Sequence, residues 1–178
     1  MPWNGSCLNI TSIANGLAIS RPTARHHLAR LQREGSIRLL PFFGTGRRPI
    51  VLLVGWYDDQ PASFRAFCTD AVIARFRELD PACSFHYWAT GRVRRVDLLA
   101  VISHKRVGFC FSDHPISQPR HWWPLHIAMK RGVVDLGWLL NAGWWPGRIG
   151  RGLYERSIGK FLSHCADPGE PLDEMLRS

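Results

Sequence analysis

Arginine side chains on a helix that follows a tight turn are the most distinct chemistry in this sequence. Arg21, Thr23, Arg25, His26 and Arg30 fall in ISRPTARHHLARLQREG, and Arg47 and Arg48 stand together in GTGRRP. Guanidinium groups grip phosphate oxygens through forked, charge-assisted bonds, and from a helix lying in a major groove they reach base edges. The first five residues are therefore the expected contacts to bases and phosphates. Arg47 and Arg48 are the expected backbone clamp at the tip of a hairpin. Over residues 1–50 the basic side chains are Arg21, Arg25, Arg30, Arg33, Arg38, Arg47 and Arg48, against Glu34 as the single acid. That imbalance favours a nucleic acid, because clustered cations gain free energy by releasing its counterions. Exposed arginines are also an ordinary solvated helix face, and such helices also serve as protein contacts, so both readings remain open at this level.

Other reactive residue types form no recognisable constellation. The eight histidines include the pair His26-His27 but no HExxH, and His121 and His126 flank Pro124 on one expected helix. The five cysteines, Cys7, Cys68, Cys83, Cys110 and Cys165, contain no CxxC pair, so buried thiols are expected and no metal or cofactor is assigned. No GxxxxGK[ST] phosphate loop occurs, and Ser103-His104 reads as a turn dipeptide without a partner acid. The pairs Trp122-Trp123 and Trp144-Trp145 lie among Arg120, Lys130, Arg131, Arg148 and Arg151. Such a mixture suits base stacking in a basic groove, although core packing accounts for tryptophans as readily.

The elements that must hold these residues follow from local patterning. In LNITSIANGLAI, Thr11 can cap a short helix with Ile13, Ala14 and Leu17 inward, and Ala18-Ile19 make the turn. Ser20 then caps a second helix with Pro22 in its first turn. Ala24, His27, Leu28 and Leu31 recur on its inner face, and Gly35 ends it. IRLLPFF and PIVLLVGWY read as the strands of a wing. Beyond the linker WYDDQPAS, FRAFCTDAVIARFRELDPA reads as a helix with Phe64, Phe67, Ala71 or Val72, Ala74 and Phe76 buried. SFHYWAT, VDLLAVIS and RVGFCFS read as a three-strand meander, PRHWWPLHIAMKRG as a helix and VVDLGWLLNAG as a strand. The expected fold class is α/β (α+β): a winged helix-turn-helix over residues 1–58, a small mixed-sheet domain over 62–165, and a loose acidic, Pro-rich tail over 166–178. Only MPWNGSCLN is left for the helix that normally precedes a winged helix-turn-helix, so that first helix is expected to be truncated.

Length and charge bound the function. The 178 residues, 46% hydrophobic, suffice for one core or two small ones, and a formal charge of +9 favours polyanionic partners. With no long apolar run and no signal-like start at Met1, a cytoplasmic protein without a membrane partner is expected.

In order, LNITSIANGLAISRPTARHHLARLQ, RLLPFFGTGRRP, FRAFCTDAVIARF, FHYWATGRVRRVDLL and GFCFSDHP resemble the C-terminal region of a bacterial and archaeal AAA+ ATPase family. The resemblance spans nearly the whole chain. It implies a helix-turn-helix joined to an uncharacterised domain similar to PD-(D/E)xK nucleases, preceded in the relatives by a P-loop ATPase domain that this sequence lacks. It places the family's helical Glu at Arg65, its strand Asp at Asp97, and its Glu-x-Lys at Cys110 and Ser112. Nuclease chemistry needs carboxylates around a metal and a Lys beside the attacked phosphate, so with only Asp97 retained a degenerate site is expected. Asp97 is then expected to be structural, bonding Arg94 or Arg95.

The resulting expectation is a non-catalytic module that binds nucleic acid or another protein. Its expected partners are DNA and, through the resemblance, an AAA+ ATPase acting in trans. The alternatives are a diverged metal-dependent nuclease centred on Asp97, or a decaying fragment of a longer gene without function.

Overall fold

The computed structural model describes residues 10–45, 49–53, 61–90, 94–114, 118–143 and 147–164. The chain starts with two helices, α1 (Ile10–Gly16) and α2 (Arg21–Arg33), joined by a turn in which Ala18 takes φ 52°. Ser20 caps α2 by accepting the Thr23 N–H at 3.2 Å. Gly35, at φ 76°, closes its far end as Ser36 N–H donates to Leu31 O and Gly35 N–H to Gln32 O. This is a Schellman closure, and it uses carbonyls that the helix cannot satisfy internally. Ala14, Ala24 and Leu28 are buried between the helices. Leu17 lies beyond α1 and is 64% exposed, and His27 also faces outward, so neither belongs to the inner face as the spacing suggested.

Strands β1 (Ile37–Leu40) and β2 (Ile50–Leu53) pair antiparallel, which matches the two apolar runs. Then come α3 (Pro61–Leu79), β3 (Ser84–Thr90), β4 (Arg94–Ile102), β5 (Lys105–Ser112), α4 (Pro119–Lys130), β6 (Leu136–Asn141), β7 (Gly147–Gly150), β8 (Leu153–Ser157) and α5 (Ile158–His164). The larger sheet has the order β3-β4-β5-β6-β8-β7. Its β3-β4-β5 part is the expected antiparallel meander, whereas β6 pairs parallel with both β5 and β8, and β7 returns antiparallel at the edge. The architecture is mixed α/β. Local patterning does not announce β7, β8 or α5.

Helices cover both faces of this sheet. On one, Val72, Ile73 and Phe76 of α3 and Phe161 of α5 pack on Leu98, Phe109 and Trp138. On the other, Leu125 and Ala128 of α4 pack on Leu99, Cys110 and Leu139. The burial phase of α3 differs from expectation: Phe67 and Ala74 are exposed, and Cys68, Thr69 and Ile73 point inward. Gly108 and Gly137 lie side by side across β5 and β6 beneath α4. A Cβ at Gly108 would come within 2.9 Å of Leu125 Cδ2, so the close seat of α4 depends on that glycine, while one at Gly137 would come within 2.8 Å of Leu153 Cδ1 of β8.

The first hairpin is built into the same structure. Leu40 and Ile50 belong to the cluster around α3, and Arg38 pairs with Asp70 at 2.8 Å. Tyr87 N–H donates to Pro41 O at 3.0 Å and Phe43 N–H to Tyr87 O at 2.9 Å, which adds a bridge at the β3 edge. The hydrophobic core therefore crosses the boundary drawn at residue 58. Of the expected linker 56–63, residues 56–60 lie outside the described residues, as does the tail, while residues 61–63 belong to α3 and not to a linker.

Candidate functional site

Two regions carry the residues singled out above. The first is the outer surface of α2. Arg21, Arg25, His26, Arg30 and Arg33 are all exposed there, and the helix contains no acid. Glu34, one residue past the end, pairs with Arg30 at 3.6 Å, an exposed contact that water and salt weaken. Thr23 is exposed, but its hydroxyl lies 2.8 Å from Ser20 Oγ and serves the cap. Arg47 and Arg48 lie outside the described residues.

The second region is the end of the sheet where β5, β6 and β8 finish and β4 begins. Loops at the carboxyl ends of parallel strands are a common place for ligands in α/β sheets. The buried polar and charged side chains among the described residues are Thr69, Asp97, Ser112 and Asn141, and the last three lie at this end. Ser112, Asn141 and Ser157 each end an otherwise apolar or mixed strand. That shared terminal position is the signal by which the sequence could have marked them together.

Asp97 sits at an irregularity of β4. Trp88 pairs with Val96 and His86 with Leu99, so β4 carries one more residue than β3 across this stretch, as in a β-bulge. The irregularity faces β3; on the other side of β4, where the ladder to β5 starts only at Leu98 opposite Phe109, the Asp97 carboxylate supplies a further link to β5. Its Oδ2 accepts the Phe111 N–H at 3.0 Å, and its Oδ1 accepts from Arg95 Nε at 3.2 Å. The cation expected from Arg94 or Arg95 is thus Arg95. The residue is 8% exposed.

The other positions matched by the family pattern converge on the same end. Arg65 is exposed near the start of α3, and its charge reaches both Cys110 and His121. Cys110 is buried, with its thiol 3.7 Å from Arg95 O. Burial, then the nearby Asp97 charge, push that thiol's pKa up and keep it protonated. The same two causes, in the same order, push Cys68 up to about 12. Protonated, buried thiols are poor nucleophiles and poor metal ligands.

Ser112 faces an imidazole. Its Oγ lies 3.3 Å from His121 Nδ1, and it accepts the His114 N–H at 3.3 Å. His121 Nδ1 also accepts the Gln118 N–H at 3.2 Å, and the His114 ring stacks on it at 5.6 Å with an interplanar angle of 7°. A backbone donor at Nδ1 leaves the ring proton on Nε2, so Arg120 Nε, 3.3 Å from Nε2, is a close packing neighbour and not a donor to a lone pair. Burial first, and then the Arg120 charge, lower the His121 pKa. A general base needs a group that orients its far nitrogen, and here a cation stands in that place.

These residues do not fit the divalent metal that the resemblance implies. Arg65 is a cation at the position of a ligand, both Asp97 oxygens are engaged, Cys110 is a buried thiol and Ser112 is neutral. No group of three or more His, Cys, Asp or Glu side chains among the described residues is placed to hold a metal ion. No helix among the described residues is long and apolar enough to cross a membrane.

No protein-family model, curated protein or solved structure matches the chain.

Proposed function

We propose that this protein is a non-catalytic nucleic-acid-binding or interaction module: a winged helix-turn-helix joined to a nuclease-like domain whose catalytic set is gone. In this reading it corresponds to the C-terminal part of an AAA+ ATPase and works in the cytoplasm with DNA and an AAA+ ATPase partner. The observation that carries the reading is α2, a helix capped at both ends that exposes Arg21, Arg25, Arg30 and Arg33 with no acid within it. These arginines spread over the arc of α2 away from buried Ala24 and Leu28, and a helix with cations around its exposed side can meet phosphates on both walls of a groove. The non-catalytic half of the reading rests on the neighbours of Asp97: Arg65, Cys110 and Ser112 supply neither a second carboxylate nor a lysine, and Asp97 itself bonds Phe111 N–H and Arg95.

The test is a fluorescence titration of labelled duplex DNA at several salt concentrations. Binding should weaken as salt rises. The triple variant Arg21→Ala, Arg25→Ala, Arg30→Ala should flatten the log–log slope by about 3, at about 0.9 for each phosphate that is no longer neutralised. No binding at low salt removes DNA as the partner and leaves a protein-contact role. Nicking that depends on Mg²⁺ or Mn²⁺ and is abolished by Asp97→Asn would overturn the non-catalytic assignment.

A further inference from the structure

Helix α4 carries an aromatic side chain that its own core does not use. Leu125 and Ala128 are buried against the sheet, and Trp122 packs beside them. Trp123 points away and is 39% exposed, among the largest exposed hydrophobics described. His126 backs the indole, with ring centroids 5.2 Å apart and an interplanar angle of 28°, so the ring is supported and not free to sweep through solvent. Holding an aromatic surface in place lowers the ordering entropy that a ligand must overcome.

The charges of the helix that carries Trp123 have one sign, and Asp113 approaches only its first turn, at His121. The segment Pro119–Arg131 contains Arg120, Lys130 and Arg131 and no acid. At 1.5 Å per residue, the ten-residue step from Arg120 to Lys130 spans about 15 Å, with Trp123 between them. Arg131 is anchored: its Nη1 donates to Thr90 Oγ1 at 3.1 Å, and its guanidinium lies 6.0 Å from the Trp88 ring centre. The acids nearest in sequence lie beyond the helix, and one of them, Asp135, is bound by Arg106 at 2.6 Å.

We propose that the outer face of α4 binds single-stranded nucleic acid, with a base stacked on Trp123 and the adjacent phosphates held by Arg120, Lys130 and Arg131. A duplex keeps its base faces inside the stack, so an exposed, backed indole among cations suits a strand whose bases are free. Neutral apolar partners are disfavoured by the three cations. The inference does not rest on α2, and either site can fail without the other.

The experiment measures fluorescence anisotropy of labelled oligothymidylate and of an abasic strand of the same length and charge. The thymidylate should bind roughly tenfold more tightly, the effect of one stacked base. Trp123→Ala should bring it to the abasic level, and Trp123→Phe should retain most of the difference. Thymidylate binding should persist in the triple α2 variant. A 2-aminopurine strand should be quenched on binding the unaltered protein, which supplies a reading even if Trp123→Ala does not fold. Equal affinity for the two strands, absence of binding by both, or an unchanged affinity in folded Trp123→Ala overturns the proposal. Those outcomes would leave the face as a protein contact.

Discussion

Replacing Asp97 by Ala tests whether this carboxylate holds the sheet together or serves chemistry. The substitution removes the acceptor of the buried Phe111 N–H and the partner of Arg95, whose side chain is 19% exposed. An orphaned buried amide costs about 1–3 kcal/mol, and breaking a buried ion pair costs about 3–5 kcal/mol. Arg95 retains some access to water, so these penalties combine to less than their sum, and about 3–4 kcal/mol is expected. For a chain of this length that corresponds to a fall in Tm of roughly 10 °C. Asp97→Asn separates the two parts, because its carbonyl can still accept from Phe111 while its amide opposes the Arg95 donor. A destabilisation of about 1–2 kcal/mol is expected for it. Urea unfolding followed by circular dichroism measures both. If Asp97→Ala proved as stable as the unaltered protein, the idea that the carboxylate ties β4 to β5 would be wrong, and its presence would need a functional cause.

Three further outcomes follow from other parts of the structure. Gly108→Ala should destabilise by about 1–3 kcal/mol in the same urea assay, since the added methyl would press on Leu125 and Val134 in a filled interior. Replacing Ser103-His104, at φ 47° and 68°, by Asn-Gly should raise stability by about 1 kcal/mol, because those conformations suit the tight turn between β4 and β5 and strain ordinary side chains. The pH profile of urea stability should show two separate declines. The pKa values of His121 and His86 are lowered in the fold by burial, so the unfolded chain takes up protons first and stability declines as pH falls below the ordinary histidine value of 6.5. The Asp135 pKa is depressed by its bond to Arg106, so that contribution holds above 3.8 and disappears as pH falls through the folded value. Asp135→Asn should reduce the acid limb and leave the histidine limb unchanged.

Much of the fold was legible because its signals are local. Ser20, Pro22 and Gly35 announce the ends of α2 through cap chemistry that spans a few residues, and the alternating apolar runs bound β3, β4 and β5 closely. The inward phase of α3 is ambiguous in sequence because FCTDAVIARF offers apolar residues on several faces, and the sheet selects Cys68, Val72, Ile73 and Phe76 over Phe67 and Ala74. The strands β7 and β8 leave little trace because GRIG and LYERS are short and mixed in polarity, and the pairing of β8 with β6 and of β7 with β8 stabilises them. At the candidate site, Asp97 and a neighbouring Arg could be paired from sequence. The placement of Asp97 against Phe111 is a matter of register between β4 and β5 and leaves no local mark. The stacking of His114 on His121 likewise depends on α4 folding back beside the end of β5.

The bridge between Tyr87 and the stretch Pro41–Phe43 has a consequence for dividing the chain. β3 is the outermost strand on its side of the large sheet, and a bare outer strand offers unpaired amides and carbonyls to any extended chain nearby. The stretch before β2 occupies part of that rim, while Leu40 and Ile50 seal the apolar layer behind it. Cutting between the two halves would uncover both at once. The isolated second half should accordingly self-associate into β-rich aggregates, and the first half added as a separate piece should suppress that by reclaiming the rim.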